Sequence, residues 1–479
     1  MAADRGSPHR AGAVHGSART GEEADEVTEQ GDPRAAFVEA ACVPLDRGSG
    51  HATGTLERAE AILAAHPEVA TGDVHTAAIL GDDATVRRFL ALDGANAAAK
   101  GGPREWDALT HLCFSRYLRL DRVRADAFVR AARALLDAGA SASTGFYSQD
   151  HQPEPAFESA IYGAAGVAHH AELTRLLLQR GADPNDGETP YHTPEGLDNA
   201  ALEVLVESGK LTDDSLATML LRKADWHDYQ GLKFLLEHGA DPNRITHWNY
   251  TALHQAMRRD NALDNIELLL DHGADPTLEN RVDGKSAVAI AARRGRGDVL
   301  QLFERRGVPV ELHGVERLIA ACAGNDGAAV RSIVDRELGL VREVLAEGGE
   351  LLAQFAGVGN TDGVRHLLDL GVDVTAPYEK GDAYFGIAKH SMALHVAAWR
   401  AHHATVRLLV ERGAPVNARD GDGRTPLALA VRACVDSYWS HRRTPESVQA
   451  LLRAGASVSG VAFPSGYAEV DELLRSQAT

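Results

Sequence analysis

Twenty-two histidines in 479 residues are the first place to look for chemistry, because imidazole binds metals and moves protons near neutral pH. Two adjacent pairs stand out, His169-His170 and His402-His403. Neighbouring residues point to different sides of a helix, so neither pair turns two nitrogens toward one ion. Asp283-Gly284-Lys285-Ser286 has the ending of a phosphate-binding loop, but that loop needs a second glycine at 279, where this chain has Glu279. Asp420-Gly421-Asp422-Gly423 begins like a calcium loop and carries Val431 where the bidentate glutamate belongs. Gly357-Val358-Gly359-Asn360 reads as a helix–helix turn, too isolated from any strand for dinucleotide binding. Neither G-x-S-x-G nor H-E-x-x-H occurs, and no cysteine lies beside a base. The expectation is a chain with no catalytic residue, no metal and no cofactor.

Composition limits the elements that hold these residues. A length of 479 exceeds what one core sustains, so several domains or a repeat array are expected. Hydrophobic residues reach 44% but aromatics only 5%, which suits closely packed Ala- and Leu-rich helices better than strands. The formal charge is −19 and no Lys/Arg stripe offsets it, which argues against nucleic acid. No apolar run nears the roughly 18 residues of a membrane span, and the N-terminus lacks a secretory apolar stretch, so a cytoplasmic location and no membrane partner are expected. Cys42, Cys113, Cys322 and Cys434 lie far apart without metal spacing and read as reduced packing residues. Residues 1–32 have almost no large apolar side chains and read as a disordered tail.

One phrase recurs: LLLQRGADPN at 176–185, FLLEHGADPN at 234–243, LLLDHGADPT at 268–277, LLVERGAPVN at 408–417 and LLRAGASVS at 451–459. A second alternates with it, as TALHQAM at 251–257, MALHVAA at 392–398, TPLALAV at 425–431 and DVHTAA at 73–78. Together they resemble the ankyrin-repeat family over about residues 35–460. The resemblance implies an all-α ankyrin-repeat solenoid of about 11–12 helix-turn-helix repeats with β-hairpin-type loops. Glycines at 94, 139, 181, 209, 239, 273, 307, 339, 371, 413 and 455 mark the ends of outer helices, 28 to 45 residues apart against a family period of about 33. The array spans 33–460, with 33–72 a degenerate first repeat or cap and 461–479 a capping helix. The resemblance also implies that His75, His254 and His395 bond backbone between repeats, and it puts both histidine pairs in inner–outer helix turns.

Spacings above 40 mark added residues, and insertions in such arrays collect on one face. The hairpin near 99–107 holds Arg104 and Trp106, that at 144–156 holds Phe146 and Tyr147, and that at 376–390 holds Tyr378, Tyr384 and Phe385. The shorter hairpin 244–250 adds Trp248 and Tyr250. Trp, Tyr and Arg anchor protein interfaces, so these nine residues form the expected protein-binding set, each weighed against folding back to cap its own hairpin. A further insertion, Asp436–Arg443, is expected to extend its helices or form a lobe on the opposite rim. The family implies a non-enzymatic scaffold or adaptor, monomeric, binding another protein through its concave hairpin and inner-helix face. Two alternatives are an inhibitor or immunity-type partner of a basic enzyme, steered by the acidic charge, and an enzyme using His151, Asp150 or Tyr384 among the enlarged hairpins. An Arg-rich chain with seven lysines suggests a GC-rich bacterial gene.

Overall fold

The computed structural model describes residues 32–46, 49–148, 155–437 and 439–476. Most of the expected tail at 1–32, together with Asp150, His151 and Tyr438, lies outside the described residues. The chain divides into two compact units, one over 19–275 and the other built mainly of 276–479.

Each unit is a stack of short helix pairs. In the first, Asp213–Asp225 pairs with Tyr229–Glu237, and Ala252–Arg258 with Leu263–Asp271. Thr251 explains why such an inner helix starts where it does. Its hydroxyl accepts from the His254 amide while His254 Nδ1 accepts from the Thr251 amide, so two of the helix's otherwise unpaired first-turn groups are satisfied. The outer helix then buries Ile266, Leu268 and Leu269 against its neighbours. It stops at Gly273, whose φ of +86° is left-handed and strained for other residues. Asn243 closes the step by donating to the Gly273 carbonyl at 2.8 Å and accepting from the Asp275 amide at 2.7 Å.

Nine of the eleven marker glycines have left-handed backbone, and two do not. Gly94 opens the 3-10 turn Gly94–Ala97, which Asp93 caps. Gly339 lies inside Leu338–Ala346, an additional helix between the pair ending at Arg336 and the helix Gly348–Val358. The marker fails there because a glycine signals only that a turn is allowed.

The hairpins are short antiparallel pairs, Gly145–Ser148 with Ala156–Ser159 and Pro377–Tyr378 with Ser391–Met392. In the second unit the insertion 436–443 turns inward at Trp439. Trp439 packs with Trp399, Leu429 and Ala433, and its indole N–H donates to the Trp399 carbonyl at 3.0 Å. Toward the C-terminus the helix Ala468–Arg475 buries Val470 and Leu474. All four cysteines are buried thiols, and burial pushes Cys42 up to about 11.

Candidate binding surface

The resemblance predicts histidines that tie one repeat to the next. His75 Nε2 lies 2.9 Å from the Ala99 carbonyl and His395 Nε2 3.0 Å from the Ala418 carbonyl, each more than twenty residues along the chain. His254 also bonds Thr251 at the start of its own helix, its Nδ1 lying 2.7 Å from the hydroxyl. His170 and His402 both stand immediately before outer helices, at Ala171–Gln179 and His403–Glu411.

Of the nine expected binding residues, each weighed against folding back onto its own hairpin, Trp106, Phe146, Tyr378 and Phe385 fold back and are buried, and the Arg104 side chain is covered with them. Trp106 is 5% exposed and stacks on buried Phe146, ring centroids 4.2 Å apart, with Phe114 closing the group. Arg104 covers the same indole at 4.8 Å, while its guanidinium binds Glu39 and the Val43 carbonyl. Arg104 therefore fixes the helix Pro33–Ala41 and has almost no exposed surface to offer. Tyr378 is buried and its hydroxyl accepts from Gln354. Phe385 is buried beneath Arg400 at 4.0 Å, beside half-buried Tyr384. The physical reason is common to all of them: a longer hairpin reaches back across its own repeat, and closing an aromatic against the inner helices removes apolar area from water.

Tyr147, Trp248 and Tyr250 remain accessible. Tyr147 is 67% exposed and alternates with buried Phe146 along its strand. Trp248 and Tyr250 are half-buried. Trp248 meets Tyr191 at 5.3 Å, and the Arg222 guanidinium lies over the other ring at 4.0 Å. Arg258 lies over Tyr250 at 4.2 Å. The structure thus gathers Tyr191, Arg222, Trp248, Tyr250 and Arg258 from the helices Glu188–His192, Asp213–Asp225 and Ala252–Arg258 and their hairpin. Tyr191, Arg222 and Arg258 were missed in the sequence. The available signal was Thr189-Pro190-Tyr191-His192, the inner-helix phrase with tyrosine in place of leucine.

Behind this row runs a chain of charges. His192 lies between Glu188, 3.1 Å from Nε2, and Glu195, 3.0 Å from Nδ1. Burial opposes its charged form, but the two carboxylate hydrogen bonds outweigh it and raise the imidazole to about 9. Arg222 reaches Glu195 at 2.9 Å and Asp225 at 2.5 Å, and Arg259 joins Asp225 at 2.7 Å. The network ties the helix Glu188–His192 to Asp213–Asp225 through Arg222, the same side chain that lies over the Tyr191 ring.

Among the described residues, no group of three or more His, Cys, Asp or Glu could hold a metal ion. An open depression of about 300 Å3 lies in the second unit, lined by Thr361, His402, His403, Arg407, Arg442 and Glu446 among others. No helix of the described residues is long and apolar enough to cross a membrane.

A family model described as ankyrin repeats (3 copies) matches residues 219–313 and 352–460. No curated protein matches the chain.

Proposed function

We propose that this chain, with its ankyrin repeats, is a non-enzymatic scaffold or adaptor that binds another protein through the hairpin and inner-helix face of the unit 19–275. Ankyrin repeats are protein–protein interaction modules, which supports a protein partner. The single observation that carries the placement is the half-buried row of Tyr191, Trp248 and Tyr250 interleaved with Arg222 and Arg258. Aromatic and arginine side chains held in place by their neighbours lose little freedom on docking, and those residue types dominate interface energetics. We place the monomeric protein in the cytoplasm, with the carboxylates behind the row holding its shape.

Affinity capture from the native host tests this reading, comparing wild type with Trp248→Ala and Tyr250→Ala. Loss of the captured partner in either variant, with unchanged melting, supports it. Recovery of the same partners at equal yield by both variants sinks the placement. The inhibitor-type alternative rests on net charge alone and differs in its test: its association should weaken steeply as salt rises.

A further inference from the structure

Arg116, Arg119 and Arg122 crowd one short stretch, in and just after the helix Arg116–Leu120, although the chain as a whole carries a net charge of −19. Among the described residues no carboxylate pairs with any of the three, and the acids nearby are taken, Glu39 by Arg104 and Asp121 by Arg124. Arg116 and Arg119 hold main chain instead. Arg116 Nη1 donates to the Ala40 carbonyl at 2.7 Å, and Arg119 Nη2 donates to the Thr53 and Gly54 carbonyls at 3.0 and 2.9 Å. The Nε of each is buried and has no partner. Burial first, and then the charges of Arg116 and Arg122, hold Arg119 below the usual arginine range. In Arg119 the unused Nε lies beside the used Nη2, and that fork is the one a carboxylate fills with its two oxygens.

The Thr53 and Gly54 carbonyls belong to the segment 49–56, which lies directly on these arginines: a Cβ at Gly54 would stand 2.5 Å from the Arg116 guanidinium carbon. His51 makes the segment's other contact. Its Nδ1 lies 3.0 Å from the Tyr162 hydroxyl, and its ring packs on those of Tyr162, Phe146 and Phe114, with centroids 5.8, 6.1 and 6.3 Å away. No residue of 49–56 is buried, and Gly50, Ala52 and Gly54 have little side chain to bury. A segment docked mainly through one ring and two carbonyls removes little apolar area from water and belongs to the weakly held end of the fold.

We propose that 49–56 is a displaceable strap over a second binding site, which takes an extended acidic segment of a partner protein, with carboxylates on Arg116 and Arg119 and one aromatic side chain in the place of His51. The strap's carbonyls and imidazole are the chain's own stand-ins for those groups. Charge-assisted hydrogen bonds are about twice as strong as neutral ones, so a carboxylate gains over the carbonyl it replaces. Arg122, exposed beside the pair, adds a third charge of the right sign. The proposal does not rest on the aromatic row at 191–258.

Fluorescence anisotropy of the full chain with a short labelled peptide of glutamates, glycines and one phenylalanine tests it, beside the same peptide with glutamine for glutamate and with hydrogen exchange followed at the 49–56 amides. Saturable binding of the glutamate peptide, none of the glutamine peptide, and faster exchange across 49–56 at saturation are expected. His51→Ala removes the strap's ring and should tighten binding about fivefold, because more of the chain is then open to the peptide. In that background Arg119→Gln should weaken binding about tenfold, the scale of one charge-assisted hydrogen bond. Arg122→Gln, at an exposed position outside the strap's contacts, should weaken it about threefold with folding intact. Equal binding of the two peptides, no saturable binding, unchanged exchange at 49–56 in the saturated chain, no tightening in His51→Ala, or arginine variants that titrate like their parents overturns the site.

Discussion

The hairpin near 99–107 and the hairpin 244–250 each carry one tryptophan, and they differ in what lies behind it. Trp106 closes over Phe146 and Phe114 with Arg104 as its outer cover. Trp248 meets the rings of Tyr191 and His247 and keeps part of its surface open. The longer hairpin has chain enough to fold back on its repeat; the shorter one leaves its aromatic at the edge. The second unit repeats the first behaviour, since Phe385 from a long hairpin and Trp439 from an insertion both bury against Trp399. Apart from Tyr147, added length here goes into closing the repeat, and the hairpin of ordinary length keeps both of its aromatics half-buried.

The largest effect that could break this contrast is on stability. Trp106→Ala should cost about 3–5 kcal/mol, because it empties a packed aromatic group, and denaturant unfolding should show the loss. Leu269→Ala, a fully buried outer-helix position in the same unit, should cost about 2–5 kcal/mol and melt the central repeats preferentially. Trp248→Ala should cost only about 1 kcal/mol by the same measurement. Equal costs for the two tryptophans would remove the distinction.

A smaller effect, set by pH, separates the two neighbourhoods. His111 lies buried beneath Gly102 of the long hairpin, and burial pushes it down to about 3. The unfolded chain takes up that proton near 6.5 while the native state stays neutral. Its contribution is therefore complete above pH about 6.5 and is lost as pH falls toward 3, with His75 shifted in the same direction by its burial. His192, behind the short hairpin, has the opposite sign. Raised to about 9, it contributes fully below pH about 6.5 and loses that stability as pH rises through 9. Unfolding midpoints measured against pH should show an acid limb that flattens in His111→Gln and an alkaline limb that flattens in His192→Gln. An acid limb unchanged by the first substitution would mean that other groups set it.

The repeat phrases made the helices, caps and most turns legible, because each residue type in them answers a local need: a cap at Thr251, an apolar stripe at Leu268 and Leu269, a left-handed turn at Gly273. Gly339 misled because a helix interior tolerates glycine at modest cost. The binding set was less legible for a different reason. Whether Trp106 faces water depends on Phe146, forty residues away, and no local pattern records that pairing. Tyr191 was hidden by its phrase, which marks an inner helix without saying which of its side chains reaches a hairpin.

Tyr147 gives the smallest expected effect and the sharpest test. It is the one residue of the long hairpins' expected set that stands mainly in solvent, touching Phe157 across its strand pair at 5.2 Å. Replacing it with serine removes little buried area, so stability should change by about 0.5 kcal/mol or less. Partner capture then becomes the informative reading. If Tyr147→Ser retains the partner that Trp248→Ala loses, the long hairpin is structural and recognition belongs to the row at 191–258. If both variants lose it equally, the partner spans from one hairpin to the other, and length and display are not alternatives in this unit.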